Sequence, residues 1–394
     1  MVFIGFLTFV VDYGVMWVGR RQAQNAADAG ALAGAVAMAF DNTGWTNRTP
    51  TGPARAAGLQ MALSNWVWGQ APSVNVLTDV YFTGAPADMC PPDANGLTPC
   101  IRVDVYRNQV RGNPLPAIFG QAVGLTVQGV RATATARVAV ANASECMKPF
   151  AIPDKWLDIY DVTAPVDTGW TADDTYETGL QQGSTWTPLN PPDVYTPPSS
   201  NGPGTGFTVA ADLGLQVVLK QGGPSTSLSP GVYEPVRLPS LTCPIPSGAQ
   251  CYSTSIATCN GLPISIGDTL QSENGNMIGP TRQGVQALIA LDPTATWDPA
   301  TKSVINSCAQ ATPACAAKSP RIVAIPIFDT DTYFNTKRQG LPVFTIVNIL
   351  GFFMDQMQGN DVVGYLTTAP GLTTGTTAPI DPRASFLSQI QLIR

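Results

Sequence analysis

The chain begins with MVFIGFLTFVVDYGVMWVGRRQAQNAADAGALAGAVAMAF, residues 1–40, and this stretch decides the fold. It contains no proline, and its glycines are scattered singly, so nothing in it forces a helix to stop. Forty helical residues would extend about 60 Å, roughly twice the hydrocarbon core of a bilayer. We therefore predict one long helix, with residues 1–18 in the membrane and the following half standing outside it as a spine.

The apolar half of this helix contains one acidic residue, Asp12. A carboxylate at membrane depth usually marks a function or a partner. Alternatively, Asp12 lies near the outer interface and reaches water. A short apolar run followed by small residues is also typical of a cleaved signal peptide. No charged region precedes the run, which predicts that the sequence starts inside the apolar segment.

The second half of the predicted helix carries small residues on one side. They recur every three or four positions, a spacing that lets another element approach closely. We expect helix contacts from these residues and from the polar residues near them: Asp12, Gly14, Ala23, Ala27, Asp28, Gly30, Ala31 and Gly34. The alternative is that the same side packs on the chain's own domain.

The order of these residues resembles a known family. The apolar run with Asp12, the pair Arg20 and Arg21, and NAADAGALAG at residues 25–34 are similar to the N-terminal segment of TadE/TadG-like proteins. These belong to the tight-adherence (Flp) pilus-assembly systems of bacteria. The Asp-x-Ser-x-Ser motif of the von Willebrand factor A domain, which many larger members carry, does not occur here. We therefore expect neither that domain nor its metal.

The resemblance implies a place in the bacterial cell envelope. It predicts a single-pass membrane protein whose bulk is periplasmic or extracellular. Its partners would be other pilus-assembly or pilin-like membrane proteins, contacted through the N-terminal helix, and the lipid bilayer. Arg20 and Arg21 after the span oppose this orientation, because positive residues usually stay in the cytoplasm. The cysteines that follow favour it, and we give them more weight.

The composition fits an exported protein and excludes one class of partner. Only 12% of the 394 residues are charged and the net charge is −6, so a nucleic-acid partner, which needs a basic surface, is not expected. An even number of cysteines after an apolar segment predicts disulfides in an oxidising compartment. They are Cys90, Cys100, Cys146, Cys243, Cys251, Cys259, Cys308 and Cys315.

Spacing favours particular cysteine pairs. Cys90 with Cys100, and Cys308 with Cys315, would each close a short turn-rich loop. Among the other four, we favour Cys243–Cys251 and Cys146–Cys259. A zinc site is the rival interpretation, but the chain has no Cys-x-x-Cys and no histidine.

The predicted fold class is α+β, in three parts. Residues 1–40 form the transmembrane and spine helix, packed on a small antiparallel sheet as in pilins. Residues 41–145 form that pilin-like domain, with helices at 54–66 and 114–121 and strands at 74–82, 101–106 and 125–141. Alternation puts Ile101, Val103 and Val105 on one face of the central strand. Residues 146–394 form a mainly β extracytoplasmic domain.

The third part has two marked features. Residues 168–205 are rich in proline and glycine and predict a loop. The near-continuous apolar runs at 321–328 and 343–354 predict strands that are buried on both faces.

The sequence contains no evident catalytic or metal-binding motif. The absence of histidine excludes Ser-His-Asp triads and His-Glu-x-x-His metal sites. A glycosidase needs only two carboxylates, and calcium needs only a short acidic loop. The candidates for either role are Asp173, Asp174, Glu177, Asp329 and Asp331, which we interpret as solvated acidic turns. We predict no cofactor, no metal and no enzymatic activity.

Two functions remain for the sequence. The first is a membrane-anchored, extracytoplasmic and non-catalytic component of a Tad/Flp-like pilus-assembly or secretion apparatus. The alternative is a secreted or surface binding protein, such as an adhesin. It would use the β domain and its aromatic-bearing loop, with Trp170, Tyr176, Trp186 and Tyr195.

Overall fold

The structure is a computed structural model of the 394-residue chain. It describes residues 8–40, 42–83, 89–92, 96–159, 170–171, 174–182, 185–222, 228–241, 243, 248–307, 319–338, 342–375, 381 and 383–393. The chain divides into two compact units. One comprises residues 1–139 with residues 390–394, and the other comprises residues 140–389.

A long helix is the frame of the first unit. A π-helical turn, Thr8–Asp12, leads directly into helix α1, Tyr13–Phe40. Two more helices follow, α2 (Asn42–Thr46) and α3 (Pro53–Ser64). α3 begins with a proline, which costs nothing in a first helical turn because its missing N–H would have no partner there. The predicted N-terminal helix is confirmed from residue 8 onward, and residues 1–7 lie outside the described part of the chain.

The strands of the first unit form one sheet and one hairpin. They are β1 (Val80–Phe82), β2 (Cys100–Arg107), β3 (Leu115–Pro116), β4 (Val127–Gln128) and β5 (Val130–Val140). β1, β2 and β5 are antiparallel, and residues 390–393 of the chain's last strand lie beside β5. Ile101, Val103 and Val105 are fully buried in the core shared with α1, as alternation predicts.

The hairpin, residues 115–128, replaces a predicted helix. β3 and β4 pair antiparallel, and a 3₁₀ turn, Gly120–Val123, lies between them. The prediction of a helix at 114–121 is wrong. The N–H groups of Ile118, Phe119 and Gly120 are bound by a distant carboxylate, described below, so they do not serve a helical ladder.

The second unit is mainly β, as predicted. Its strands are β6 (Ala143–Ser144), β7 (Phe150–Pro153), β8 (Gly179–Gln182), β9 (Thr185–Pro188), β10 (Gln216–Gln221), β11 (Val232–Arg237), β12 (Ile264–Ser265), β13 (Thr269–Ser272), β14 (Thr296–Asp298), β15 (Ser303–Ile305), β16 (Ile322–Phe328), β17 (Phe344–Gln358), β18 (Asp361–Thr367), β19 (Ala369–Pro370) and β20 (Leu387–Ile393). Its helices are α4 (Val209–Asp212), α5 (Ala249–Ala257), α6 (Ile278–Ala290) and α7 (Thr330–Arg338).

Six strands of this unit close on themselves. Their order is β7, β11, β10, β18, β17 and β16, which pairs again with β7. Alternate side chains enter two different cores: Ile325 and Ile327 enter one, Ala324 and Phe328 the other. Every residue of β16 is buried, so the prediction of a strand buried on both faces is confirmed there.

Two further points concern the sequence predictions. The stretch predicted as a Pro/Gly-rich loop, residues 168–205, includes the hairpin β8–β9. Within the part of the chain that the structure describes, no helix combines the length and the apolar character needed to cross a membrane.

Candidate functional site

Asp12, at the start of the long helix, is bound by the chain's own backbone. Its Oδ1 accepts hydrogen bonds from the N–H groups of Ile118 (2.7 Å) and Phe119 (3.2 Å). Its Oδ2 accepts one from the N–H of Gly120. A Cβ at Gly120 would lie 2.9 Å from this oxygen, so glycine allows the close approach. Asp12 is only 7% exposed and fixes the turn of the 115–128 hairpin to the helix.

The small-residue side of α1 packs on the same unit. A Cβ at Gly30 would lie 2.9 Å from the carbonyl oxygen of Gly58 in α3, and one at Gly34 would lie 2.6 Å from Ile101 Cδ1 in β2. Other members of this side are fully buried: Ala23, Ala27 and Ala31. This is the alternative that the sequence left open. In this structure the side is covered by α3 and β2 of the same unit.

The remaining two residues expected to make helix contacts differ from these. Asp28 accepts a hydrogen bond from Gln24 Nε2 at 2.7 Å, and the same nitrogen donates to the carbonyl of Thr133 in β5 at 3.1 Å. Asp28 therefore helps to tie the helix to the sheet. Gly14 has open space around it, and a Cβ added there would meet no atom within 4 Å.

Large apolar side chains near the start of the helix are partly exposed. Tyr13 and Trp17, one helical turn apart, are 53% and 52% exposed, and the Arg21 guanidinium lies 4.9 Å from the Trp17 ring. The hairpin that Asp12 holds beside this turn also exposes large apolar side chains. We call this surface the apolar end: Tyr13, Trp17, Ile118, Phe119, Leu125 and Val127.

Charged groups on the sheet of this unit are paired with one another. Asp104 accepts hydrogen bonds from Arg131 (2.7 Å), Thr133 (2.8 Å) and Arg102 (3.1 Å). Burial alone would raise the pKa of Asp104, but these donors together lower it below its usual value. Such a network stabilises the sheet and leaves no reactive carboxylate there.

Three disulfides join cysteines in the described part of the chain. They are Cys90–Cys100, Cys146–Cys259 and Cys243–Cys251. All three are among the pairs that we favour from the sequence. Cys308 and Cys315, the fourth expected pair, lie outside the described residues.

The aromatic residues assigned to a binding loop pack inward. Tyr176 is buried, and its ring lies 5.5 Å from Trp156 and 5.4 Å from Phe334. Other members are partly buried against the same core: Trp170, Trp186 and Tyr195. Burial and the Asp331 carboxylate, which accepts the phenol hydrogen, raise the pKa of Tyr176. No observation here favours an aromatic ligand platform.

The acidic candidates serve local structure. Asp329 accepts the N–H of Thr332 at 2.7 Å at the start of α7, so the prediction of a solvated turn at 329–335 is wrong. Asp174 and Glu177 accept hydroxyl groups of nearby threonines, and Asp173 lies outside the described residues. Among the described residues, no group of three or more histidine, cysteine or acidic side chains could hold a metal.

A buried carboxylate that the sequence analysis did not single out is Asp154. It follows β7 and accepts hydrogen bonds from the N–H groups of Lys155 and Phe207 and the hydroxyl of Tyr195, at 2.9 to 3.1 Å. Burial raises the pKa of Asp154 to about 7 despite these donors. An acidic residue directly after an apolar strand was the available signal. All three donors belong to the chain itself, two of them to its backbone, which indicates a structural role.

Comparison with known proteins identifies a family for the N-terminal segment. Residues 1–37 match the family model described as putative Flp pilus-assembly TadE/G-like. No curated protein and no solved structure is similar enough to count as a match. The matched residues cover the start of the long helix and its small-residue side, including Asp12. The N-terminal segment of this chain is therefore TadE/G-like, as the order of its residues predicts.

Proposed function

We propose that this chain is a non-catalytic component of a Flp/Tad-like pilus-assembly or secretion apparatus in a bacterial cell envelope. The observation that carries the proposal is the family match of residues 1–37. We propose further that residues 1–18 anchor the chain in a membrane as a single span, and that the remainder lies in the periplasm or outside the cell.

Two features support this arrangement. Residues 1–18 carry no charged residue other than Asp12, and their length is at the short end of the range for a span. The disulfides support export, because such bonds persist in oxidising compartments. The long helix on an antiparallel sheet supports an analogy with pilins at the level of the fold alone.

The work of the chain, in this proposal, is contact with other pilus-assembly proteins. Because the small-residue side of α1 packs within its own unit, partner proteins would meet the exposed positions of α1 that follow residue 18. The proposal includes no catalytic step. The lack of histidine and the local hydrogen bonds of Asp174, Asp329 and Asp331 support that part.

Deletion and complementation in the bacterium that makes the chain test the proposal. We expect the deletion strain to lose Flp pili, and the intact chain to restore them. A variant in which a cleavable export signal replaces residues 1–18 should reach the periplasm, form its disulfides and still fail to restore pili. Normal pili in the deletion strain would contradict an assembly role. Normal pili with the unanchored variant would contradict the anchor.

A further inference from the structure

We propose that the 115–128 hairpin enters the outer leaflet of the membrane beside the N-terminal helix, so that the apolar end is a lipid-facing surface. This inference rests on the anchoring proposed above and adds a second element to it. It concerns which surface of the folded unit meets lipid.

The attachment point of the hairpin on the long helix supports this inference. The hairpin is attached to the very part of the helix that is assigned to the membrane. Its turn is bound by Asp12, and its first strand reaches Gly19, where a Cβ would lie 2.7 Å from Leu115 Cδ1. Residues 12–19 span about 10 Å along a helix. If these residues lie at membrane depth, the hairpin lies there with them.

The composition of the hairpin also favours contact with lipid. Residues 112–130 contain no charged residue, although 12% of the whole chain is charged. The hairpin exposes Ile118, Phe119 and Leu125, the last of them 59% exposed. Large apolar side chains clustered on one surface mark an interaction site, and aromatic residues such as Tyr13 and Trp17 favour the boundary between lipid and water.

The polar groups of the hairpin turn are compatible with a position in the membrane. Backbone N–H groups in lipid need a partner within the protein. The N–H groups of the hairpin turn find that partner in Asp12, and the carboxylate is satisfied by the same bonds. The three hydrogen bonds to Asp12 therefore reduce both the cost of burying its charge and the cost of burying these N–H groups.

The charges around the surface fit a lipid headgroup region. Arg20 and Arg21 are exposed and lie about one helical turn after Trp17. Arg111, before the hairpin, is paired with Asp79 at 2.7 Å. An apolar surface next to exposed arginines is complementary to a bilayer that contains anionic lipids. We therefore assign this surface to an anionic bilayer.

Site-specific labelling of the full chain in vesicles tests the inference. A single cysteine at Leu125, Val10 or Thr51 would carry an environment-sensitive fluorophore, in phosphatidylethanolamine–phosphatidylglycerol vesicles with nitroxide groups on the acyl chains. The unsubstituted chain gives the background labelling. Thr51 is the matched exposed control, because its loop contacts Met38 through Arg48, about 40 Å along the helix from Asp12.

We expect the Leu125 label to be quenched at least about three-fold more than the Thr51 label, since only the former meets acyl chains. Equal quenching at Leu125 and Thr51, with strong quenching at Val10, would overturn the inference and leave the anchor intact. Weak quenching at Val10 would contradict the anchor itself. A hairpin that binds a protein instead of lipid would give the same result as the first of these, with Leu125 shielded only when that protein is added.

Discussion

Asp12→Asn tests the contact between the long helix and the hairpin. In the structure three N–H groups share the two oxygens of Asp12. Asparagine keeps one acceptor oxygen but presents an NH₂ group to the N–H of Gly120, and it removes the negative charge. A buried donor without its acceptor costs about 1–3 kcal/mol, and hydrogen bonds to charged groups are the stronger ones. We expect the hairpin to be held about 3 kcal/mol less firmly.

Hydrogen exchange of the detergent-solubilised full chain measures this effect. A loss of about 3 kcal/mol corresponds to roughly 100-fold faster exchange of the amides of Ile118, Phe119 and Gly120. Asp28→Asn is the matched control, because it removes a carboxylate from the same helix that bonds to Gln24 and not to the hairpin. Exchange at the hairpin that changes by less than about three-fold, or equally in the control, would refute the reasoning. Asp12 would then act through another protein.

Three further tests, each by thermal unfolding, concern packing, burial and crosslinking. Gly30→Ala places a Cβ against backbone and should lower the free energy of unfolding by about 1–3 kcal/mol. Gly14→Ala, in open space, should cause no loss. Equal losses for the two variants would contradict the close packing at Gly30. Asp154→Asn should stabilise the chain at pH 8 and not at pH 4. The reason is that the carboxyl, with its pKa raised to about 7, makes the parent chain lose stability as the pH rises from 4 to 7. The gain at pH 8 is at most about 4 kcal/mol, and a gain that does not depend on pH would contradict the burial of this carboxyl. Replacing Cys146 and Cys259 by serine opens a 113-residue loop and should lower the free energy of unfolding by about 5 kcal/mol. Opening the 8-residue Cys243–Cys251 loop in the same way should lower it by about 2.5 kcal/mol. Equal losses for the two disulfides would contradict the chain-entropy argument.

Local sequence patterns predicted those elements whose burial follows from their own residues. The alternation of Ile101, Val103 and Val105 predicts that these three side chains share one face of β2, and all three enter the core that contains α1. The continuous apolar run of β16 likewise predicts burial on both faces. Spacing along the chain predicts the short Cys90–Cys100 loop, whereas Cys146–Cys259 joins residues 113 apart and does not follow from spacing.

The failures have a common physical cause, which is contact over long distances in sequence. The segment around Pro116 was predicted to be helical, but Asp12, more than 100 residues away, binds the N–H groups that follow it. No strand is predicted at β20, and one of its two partners, β5, lies far earlier in the chain. The small-residue side of α1 indicates close approach of some element, and the residues alone do not say which. The structure assigns that contact to α3 and β2.

The central claim is that the chain is anchored in a membrane with both units outside the cytoplasm. Alkaline carbonate extraction of envelopes, combined with external protease on cells whose outer membrane has been opened, tests it most directly. We predict that the chain stays in the membrane pellet and that protease added from outside digests both units while the inner membrane is intact. Release of the chain by carbonate, or protection of the units until the inner membrane is broken, would contradict the account.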